Sequence, residues 1–236
     1  MDKKLKTIGV LGGMGAAASA DFYVQLVSIA QKKYKAKADD DFPPIWIYNL
    51  PVTDFDETGF ADPESVKNQM INANKNLAAA GSDFIVIPCH TAHYFLREMQ
   101  ASTPIPILSI LDVTAGAVAK AGFSKVGLLN SQSTKVFNLY EQIFKKSHIE
   151  AFSTTDLEQI QVNKIIGSVI SGLQGKKGVK QLISIVHRYK KIGAQAIVLG
   201  CTELPLAFSQ KDCELPLFNS TALLADAALS YSCNMT

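Results

Sequence analysis

Much that would attach this sequence to a membrane or a polyanion is missing. No apolar run reaches the roughly 20 residues that a membrane-spanning helix needs. The formal charge over 236 residues is only +2, and no basic run is long enough to track phosphates. Lys32-Lys33 and Lys176-Lys177 read as solvated surface. Neither nucleic acid nor a membrane is therefore expected as a partner. Cysteines number four, and a chain of this size has core enough to fold without disulfides. The thiols are read as reduced and the compartment as cytoplasmic. The stretch from Met1 to Ala20 imitates a secretory leader, with a basic start and small residues. Gly9, Gly12, Gly13 and Gly15 break its apolar part, however, and Ile8 to Leu11 reads as a buried strand. No Cys-x-x-Cys pair marks a zinc module. The loop Gly12-Gly-Met-Gly15 is not the G-x-G-x-x-G of a dinucleotide fold, and no acidic residue ends the next strand. No phosphate anchor or Schiff-base lysine for pyridoxal phosphate is visible. Neither a cofactor nor a metal is expected.

What is present is a core and a repeat. Apolar residues make up 47% of the chain. Ala80-Gly-Ser-Asp-Phe-Ile-Val-Ile-Pro-Cys-His-Thr91 matches Ile192-Gly-Ala-Gln-Ala-Ile-Val-Leu-Gly-Cys-Thr-Glu203 at an offset of 112, so that Cys89 falls on Cys201. Thr7-Ile-Gly-Val-Leu-Gly-Gly13 matches Lys125-Val-Gly-Leu-Leu-Asn-Ser131 at 118, and Ile105-Pro-Ile-Leu-Ser109 matches Leu215-Pro-Leu-Phe-Asn219 at 110. Three similar segments recur in one order. Short apolar runs at Ile8–Leu11, Ile45–Tyr48, Phe84–Ile87, Ile105–Ile110, Val126–Leu129, Ala196–Leu199 and Leu215–Phe218 suit strands buried on both faces. Helical patterns fall between them at Ala18–Lys33, Pro63–Ala80, Thr134–Lys146, Val162–Leu173 and Lys177–Ile192. The alternation predicts an α/β fold of two pseudo-symmetric lobes, each a doubly wound parallel sheet flanked by helices.

Ligands of such sheets bind beyond the carboxyl ends of the strands, where Cys89 and Cys201 both stand. A helix N-terminus there favours an anion and lowers a thiol pKa from about 8.5. Taken singly, each cysteine reads as a small buried hydrophobe. Their matched places, each with a threonine within two residues, point instead to chemistry. Cys213 and Cys233 lack such a counterpart and are assigned to packing or surface. One nucleophile with His90 or His93 as base leaves the second cysteine unexplained. A metal held by Cys89, His93, Cys201 and Glu203 lacks the usual spacing. Two acid–base groups across a cleft suit inversion of a carbon acid: one thiolate removes a proton and the opposing thiol delivers one to the other face.

Ile8-Gly-Val-Leu-Gly-Gly-Met-Gly15, Pro88-Cys-His-Thr-Ala-His93 and Leu199-Gly-Cys-Thr-Glu-Leu-Pro205 resemble the signatures of the aspartate/glutamate racemase family, most closely its aspartate racemase branch. The resemblance runs over nearly the whole chain. It implies cofactor-independent racemisation of an amino acid, aspartate or a relative, with Cys89 serving the D-enantiomer and Cys201 the L-enantiomer. It also implies a homodimer and a last helix that returns to the first lobe. The lobes are accordingly expected at 1–110 with 216–236, and at 111–215. Carried over one by one, Met14 and Gly15 match the loop that closes on substrate. Thr91 and Thr202 match α-carboxylate binders, and Ser131 and Thr134 match a Gly-Thr-x-x-Thr loop in which Asn130 replaces the glycine. Lys164 matches a lysine associated with the distal carboxylate. Asp54, His90 and Glu203 complete the expected substrate-binding set.

The sequence departs from the family at three further points. His90 replaces the usual asparagine, and Ala16 replaces a proline. Phe55 stands where an arginine grips the side-chain carboxylate, and a ring cannot replace a bidentate guanidinium. Two readings compete with the racemase. A decarboxylase or isomerase of the same superfamily is disfavoured by the presence of both motif cysteines. A non-catalytic two-lobed small-molecule sensor gives matched thiols no purpose.

Overall fold

The computed structural model describes residues 5–173 and 178–233. In chain order its elements are β1 (Ile8–Gly12), α1 (Ala16–Lys32), β2 (Ile45–Asn49), β3 (Phe55–Asp56), β4 (Gly59–Phe60), α2 (Pro63–Ala79), β5 (Phe84–Val86), α3 (Leu96–Ala101), β6 (Ile107–Leu108) and α4 (Ile110–Lys120). There follow β7 (Lys125–Asn130), α5 (Gln132–Val136), α6 (Leu139–Lys146), β8 (Glu150–Phe152), α7 (Asp156–Ile170), α8 (Val179–Lys191), β9 (Ala196–Gly200), α9 (Leu204–Ala207), β10 (Leu217–Asn219) and α10 (Ser220–Ser232). Among the described residues no helix is long and apolar enough to cross a membrane.

The backbone falls into two compact units. The first comprises, of the described residues, 5–55, 60–110 and 221–233; the second comprises 56–59 and 111–220. Each is built on a four-stranded parallel sheet. The orders are β2-β1-β5-β6 and β8-β7-β9-β10. The two orders are the same when β1 is read as β7 and β5 as β9, so the repeat in the sequence is a repeat of topology. The chain leaves the inner strand for one edge, then crosses to the other side. That reversal, between β1 and β5 and again between β7 and β9, is the place where doubly wound sheets bind ligands.

In the first unit β1 and β5 are buried along their whole length, as continuous apolar runs require. α2 packs on this sheet through Val66, Met70 and Leu77. It starts where it does because the Asp62 carboxylate accepts from the amides of Glu64 and Ser65 at 3.1 and 3.0 Å, with Pro63 at the first helical position, which satisfies donors that a helix end leaves orphaned. α10 closes the unit. Ser232 accepts from Lys6 N–H at 3.0 Å and its hydroxyl donates to the Lys6 carbonyl at 2.6 Å. Asp226 pairs with Lys33 at 2.6 Å, and the Tyr231 ring meets Phe84 edge-on at 4.7 Å. In the second unit, β7 and β9 are covered by α7 and α8 through Val162, Ile166, Leu182 and Val186. α7 opens on a reciprocal cap between Thr155 and Glu158.

Three expectations are corrected. The helix expected over Thr134–Lys146 is two helices, because Asn138 takes a left-handed φ of 52° and restarts the chain at α6. The second unit extends to Ser220 rather than 215, because β10 completes its sheet by pairing with β9. The helix expected over Lys177–Ile192 runs from Val179, and Lys176 and Lys177 lie outside the described residues.

Candidate active site

In the first unit the turn after β1 is wound tightly. Gly13 has φ +97°, and a Cβ there would stand 2.2 Å from the Leu50 carbonyl oxygen. Ser19 of α1 holds the turn, accepting from Gly13 N–H at 2.8 Å and donating to the Gly15 carbonyl at 2.9 Å. Met14 is thereby turned into the apolar cluster that also contains Leu11, Leu50 and Cys89.

Cys89 follows β5 after two residues and is 6% exposed. Its amide donates to the Ile87 carbonyl at 2.8 Å. His93 Nδ1 lies 2.8 Å from the Cys89 carbonyl oxygen, and the Ile110 amide donates to His93 Nε2 at 3.2 Å. A backbone amide can only donate, so Nε2 is bare and the ring proton sits on Nδ1, where it is given to Cys89. His90 and Thr91 are buried beside it. Burial, with His93 adding a smaller repulsion, pushes the His90 pKa down to about 3. His90 is therefore a neutral ring at physiological pH.

The loop after β2 carries Asp54 and Phe55. Asp54 has φ +61°, and its carboxylate accepts from the hydroxyls of Thr53 and Ser65 at 3.1 and 3.3 Å. Gln69 of α2 ties the same loop by accepting from Thr53 N–H at 3.1 Å. Phe55 lies 5.3 Å from Phe60, which in turn is 4.9 Å from Phe95. Phe55 and Phe60 pack against the cluster that holds Met14 and Cys89. The position expected to bear an arginine is thus part of an aromatic group.

In the second unit Cys201 follows β9 at once and is 7% exposed. Its thiol donates to Glu203 Oε2 at 3.0 Å, and the Thr202 hydroxyl donates to the same oxygen at 3.2 Å. Glu203 is itself buried. The turn after β7 places Ser131 as the cap of α5, its oxygen accepting from Thr134 N–H at 3.3 Å and its hydroxyl donating to Thr134 Oγ1 at 3.0 Å. Asn130 is buried and its carbonyl accepts from Gln159 at 2.8 Å.

Tyr140, unnoticed in the sequence, lies under the Cys201 turn. A Cβ on Gly200 would stand 3.0 Å from its ring. Burial raises the Tyr140 pKa, opposed by the hydroxyls of Thr114 and Ser220 and aided by Cys201. Nothing in the local sequence marks this tyrosine, because it reaches the turn from α6.

The first unit therefore gathers Met14, Cys89, His90 and Thr91 at its switch point. The second gathers Ser131 with Thr134, and Cys201 with Thr202 and Glu203. Lys164 is exposed on α7, in a surface depression with Gln161, Ser168 and Gln181. Cys213 packs in the second core, where burial pushes its thiol up. Cys233 is half-buried. Among the described residues no three His, Cys, Asp or Glu side chains are placed to hold a metal ion.

Two parallel α/β sheets of one topology, each with a buried cysteine just past the strand at its switch point, define a two-lobed α/β protein with a candidate site at each switch point. The chain belongs to the Asp/Glu/Hydantoin racemase family, whose model matches residues 11–228, and it is an isomerase of that kind. The broad specificity amino-acid racemase RacX of Bacillus subtilis (strain 168) is 28% identical over 227 residues, 94% of this chain and 96% of that protein. The solved aspartate racemase of Picrophilus torridus is 28% identical with a TM-score of 0.81, covering 97% of this chain and 94% of that one. An aspartate racemase homologue from Pyrococcus horikoshii OT3 is 27% identical with a TM-score of 0.83, covering 97% and 99%.

Proposed function

We propose that this protein racemises an α-amino acid without a cofactor, using Cys89 and Cys201 as acid and base on opposite faces of the substrate carbon. The observation that carries the reading is the equivalence of the two cysteines: each stands at the same place in the same sheet topology and is nearly buried. For an L-amino acid, Cys201 enters as thiolate and removes the α-proton, and the Cys89 thiol protonates the planar carbanion from the other side. The product is the D-enantiomer, and the thiolate is left on Cys89 for the reverse reaction. Glu203, hydrogen-bonded to the Cys201 thiol, is the group that takes the thiol proton and so readies the thiolate. Thr91, Thr202, Ser131 and Thr134 supply hydroxyls and amides for the substrate carboxylate as its charge develops. Met14 and Gly15 belong to the loop that covers it. Aspartate, the substrate the sequence resemblance implies, is the reference compound. The same resemblance implies a homodimer, which light scattering measures.

The test is a panel of L- and D-amino acids in D₂O, followed by NMR for loss of the α-proton signal and by chiral chromatography for inversion. Inversion should persist in EDTA with a reducing agent. Cys89→Ser and Cys201→Ser should each abolish it, by about a thousandfold or more on the scale of general acid–base catalysis. Full inversion by either variant would sink the two-thiol mechanism.

A further inference from the structure

The two cysteine turns are held by different chemistry, although the sheets beneath them match. In the second unit the Cys201 carbonyl is bound by the backbone, accepting from Leu204 N–H at 3.2 Å. Ser220, at the start of α10, donates its hydroxyl to the Leu199 carbonyl at 2.6 Å and ties the end of β9 to the following helix. In the first unit one side chain makes both connections. His93 binds the Cys89 carbonyl through Nδ1 and receives the amide of Ile110, the first residue of α4, on Nε2. At the offset of 112 that superimposes the cysteines, His93 falls on Pro205; at 110, Ile110 falls on Ser220. A proline has no amide to give. In the first turn a single imidazole, 5% exposed and held in one tautomer, bridges the Cys89 carbonyl and the α4 amide.

We propose that His93 is a positioning residue for the first thiol: by clamping the Cys89 carbonyl to the α4 amide, it fixes the direction of the Cys89 side chain. The proposal rests on the racemase reading above. Cys89 lies between β5 and the Thr91–Phe95 turn, outside both, so no regular ladder orients its peptide. Proton delivery is sensitive to aim, and a displacement of about 1 Å lowers a rate on the order of a hundredfold. Releasing the clamp therefore weakens delivery from one face only. An L-substrate still loses its proton to Cys201. The carbanion then waits for Cys89, deuterium enters from solvent at Cys201, and the substrate returns to the L-form labelled.

The experiment compares wild type, Cys89→Ser, His93→Ala, His93→Asn and His93→Gln in D₂O. The probe is whichever of L-aspartate, L-glutamate, L-alanine, L-leucine and L-lysine the wild type inverts fastest. Circular dichroism confirms that each variant is folded. His93→Ala should lose inversion about a hundredfold with KM changed less than about threefold, while the ratio of labelled L-substrate to D-product rises at least about tenfold, toward the limit set by Cys89→Ser. Gln, which keeps one donor and one acceptor, should restore most of the inversion. If His93→Ala does not fold, the decision falls to His93→Asn, whose shorter amide cannot reach both partners and should skew the ratio in the same way. Loss of exchange and inversion in equal proportion in a folded variant overturns the role of His93 and leaves the racemase standing. A folded wild type that inverts none of the five overturns both.

Discussion

Burial at His90 works against its proton, and that has a measurable price at low pH. The folded pKa of about 3 lies below the reference of about 6.5. Between those values the unfolded chain binds a proton that the folded chain refuses. Stability therefore falls as pH drops below about 6.5, at about 1.4 kcal/mol per pH unit, and the loss is complete near the folded value. Urea unfolding at pH 7 and pH 5 should show wild type losing about 2 kcal/mol more than His90→Asn. Parallel losses would refute the assignment of a neutral, proton-refusing ring. Phe55 bears on selectivity rather than stability. It packs with Phe60 beside the Cys89 cluster and offers no charge to a distal carboxylate. Phe55→Arg should raise the kcat/KM ratio of aspartate over alanine about tenfold, the order of one charge-assisted hydrogen bond. Lys164→Ala should leave that ratio within about twofold, since Lys164 lies exposed on α7. The opposite pattern would move side-chain recognition from Phe55 to Lys164.

At the level of elements, what was legible followed burial. All seven apolar runs became strands of the two sheets; β1, β5 and β9 are buried throughout, as apolar strands covered on both faces are, whereas the edge strand β2 is equally apolar yet leaves Trp46 and Ile47 exposed. β8 was not legible: Glu150-Ala-Phe152 is a three-residue edge strand that begins on an exposed glutamate, too short to carry an apolar run. The β3–β4 ribbon is two residues a side and gives no periodicity at all. The break at Asn138 was hidden because Thr134–Lys146 keeps a helical pattern across it. The placement of Cys89 and Cys201 just past β5 and β9 was legible, since each follows an apolar run that had to be a buried strand. The loop glycines were also marked by residue type, whereas Ser131 was read only as a loop residue and its capping of α5 came from the structure. The clamp on Cys89 was not, because Ile110 is 17 residues from His93 and contributes only a backbone amide. Tyr140 was missed for a similar reason: the glycine that admits its ring, Gly200, is 60 positions away.

For the whole molecule, the join between Lys6 and Ser232 makes the first unit discontinuous, whereas the second sheet and its helices come from the single stretch 111–220. A chain ended after Asn219 should leave the second unit folded and the first one open. Hydrogen exchange is the measurement: amides of β7 and β9 should stay protected while those of β1 and β5 exchange rapidly. Uniform protection in both sheets would show that α10 is dispensable. The same join orders events at the ribosome. More than a hundred residues separate β6 from α10, roughly 5 to 20 s of synthesis at 5–20 residues per second. Through that interval the sheet that carries Cys89, although made first, waits uncovered on the face that α10 will close. The sheet that carries Cys201, made second, is finished first. In a growing chain the older thiol is the one exposed longest to oxidation and to wrong partners, and the last helix to emerge ends that exposure.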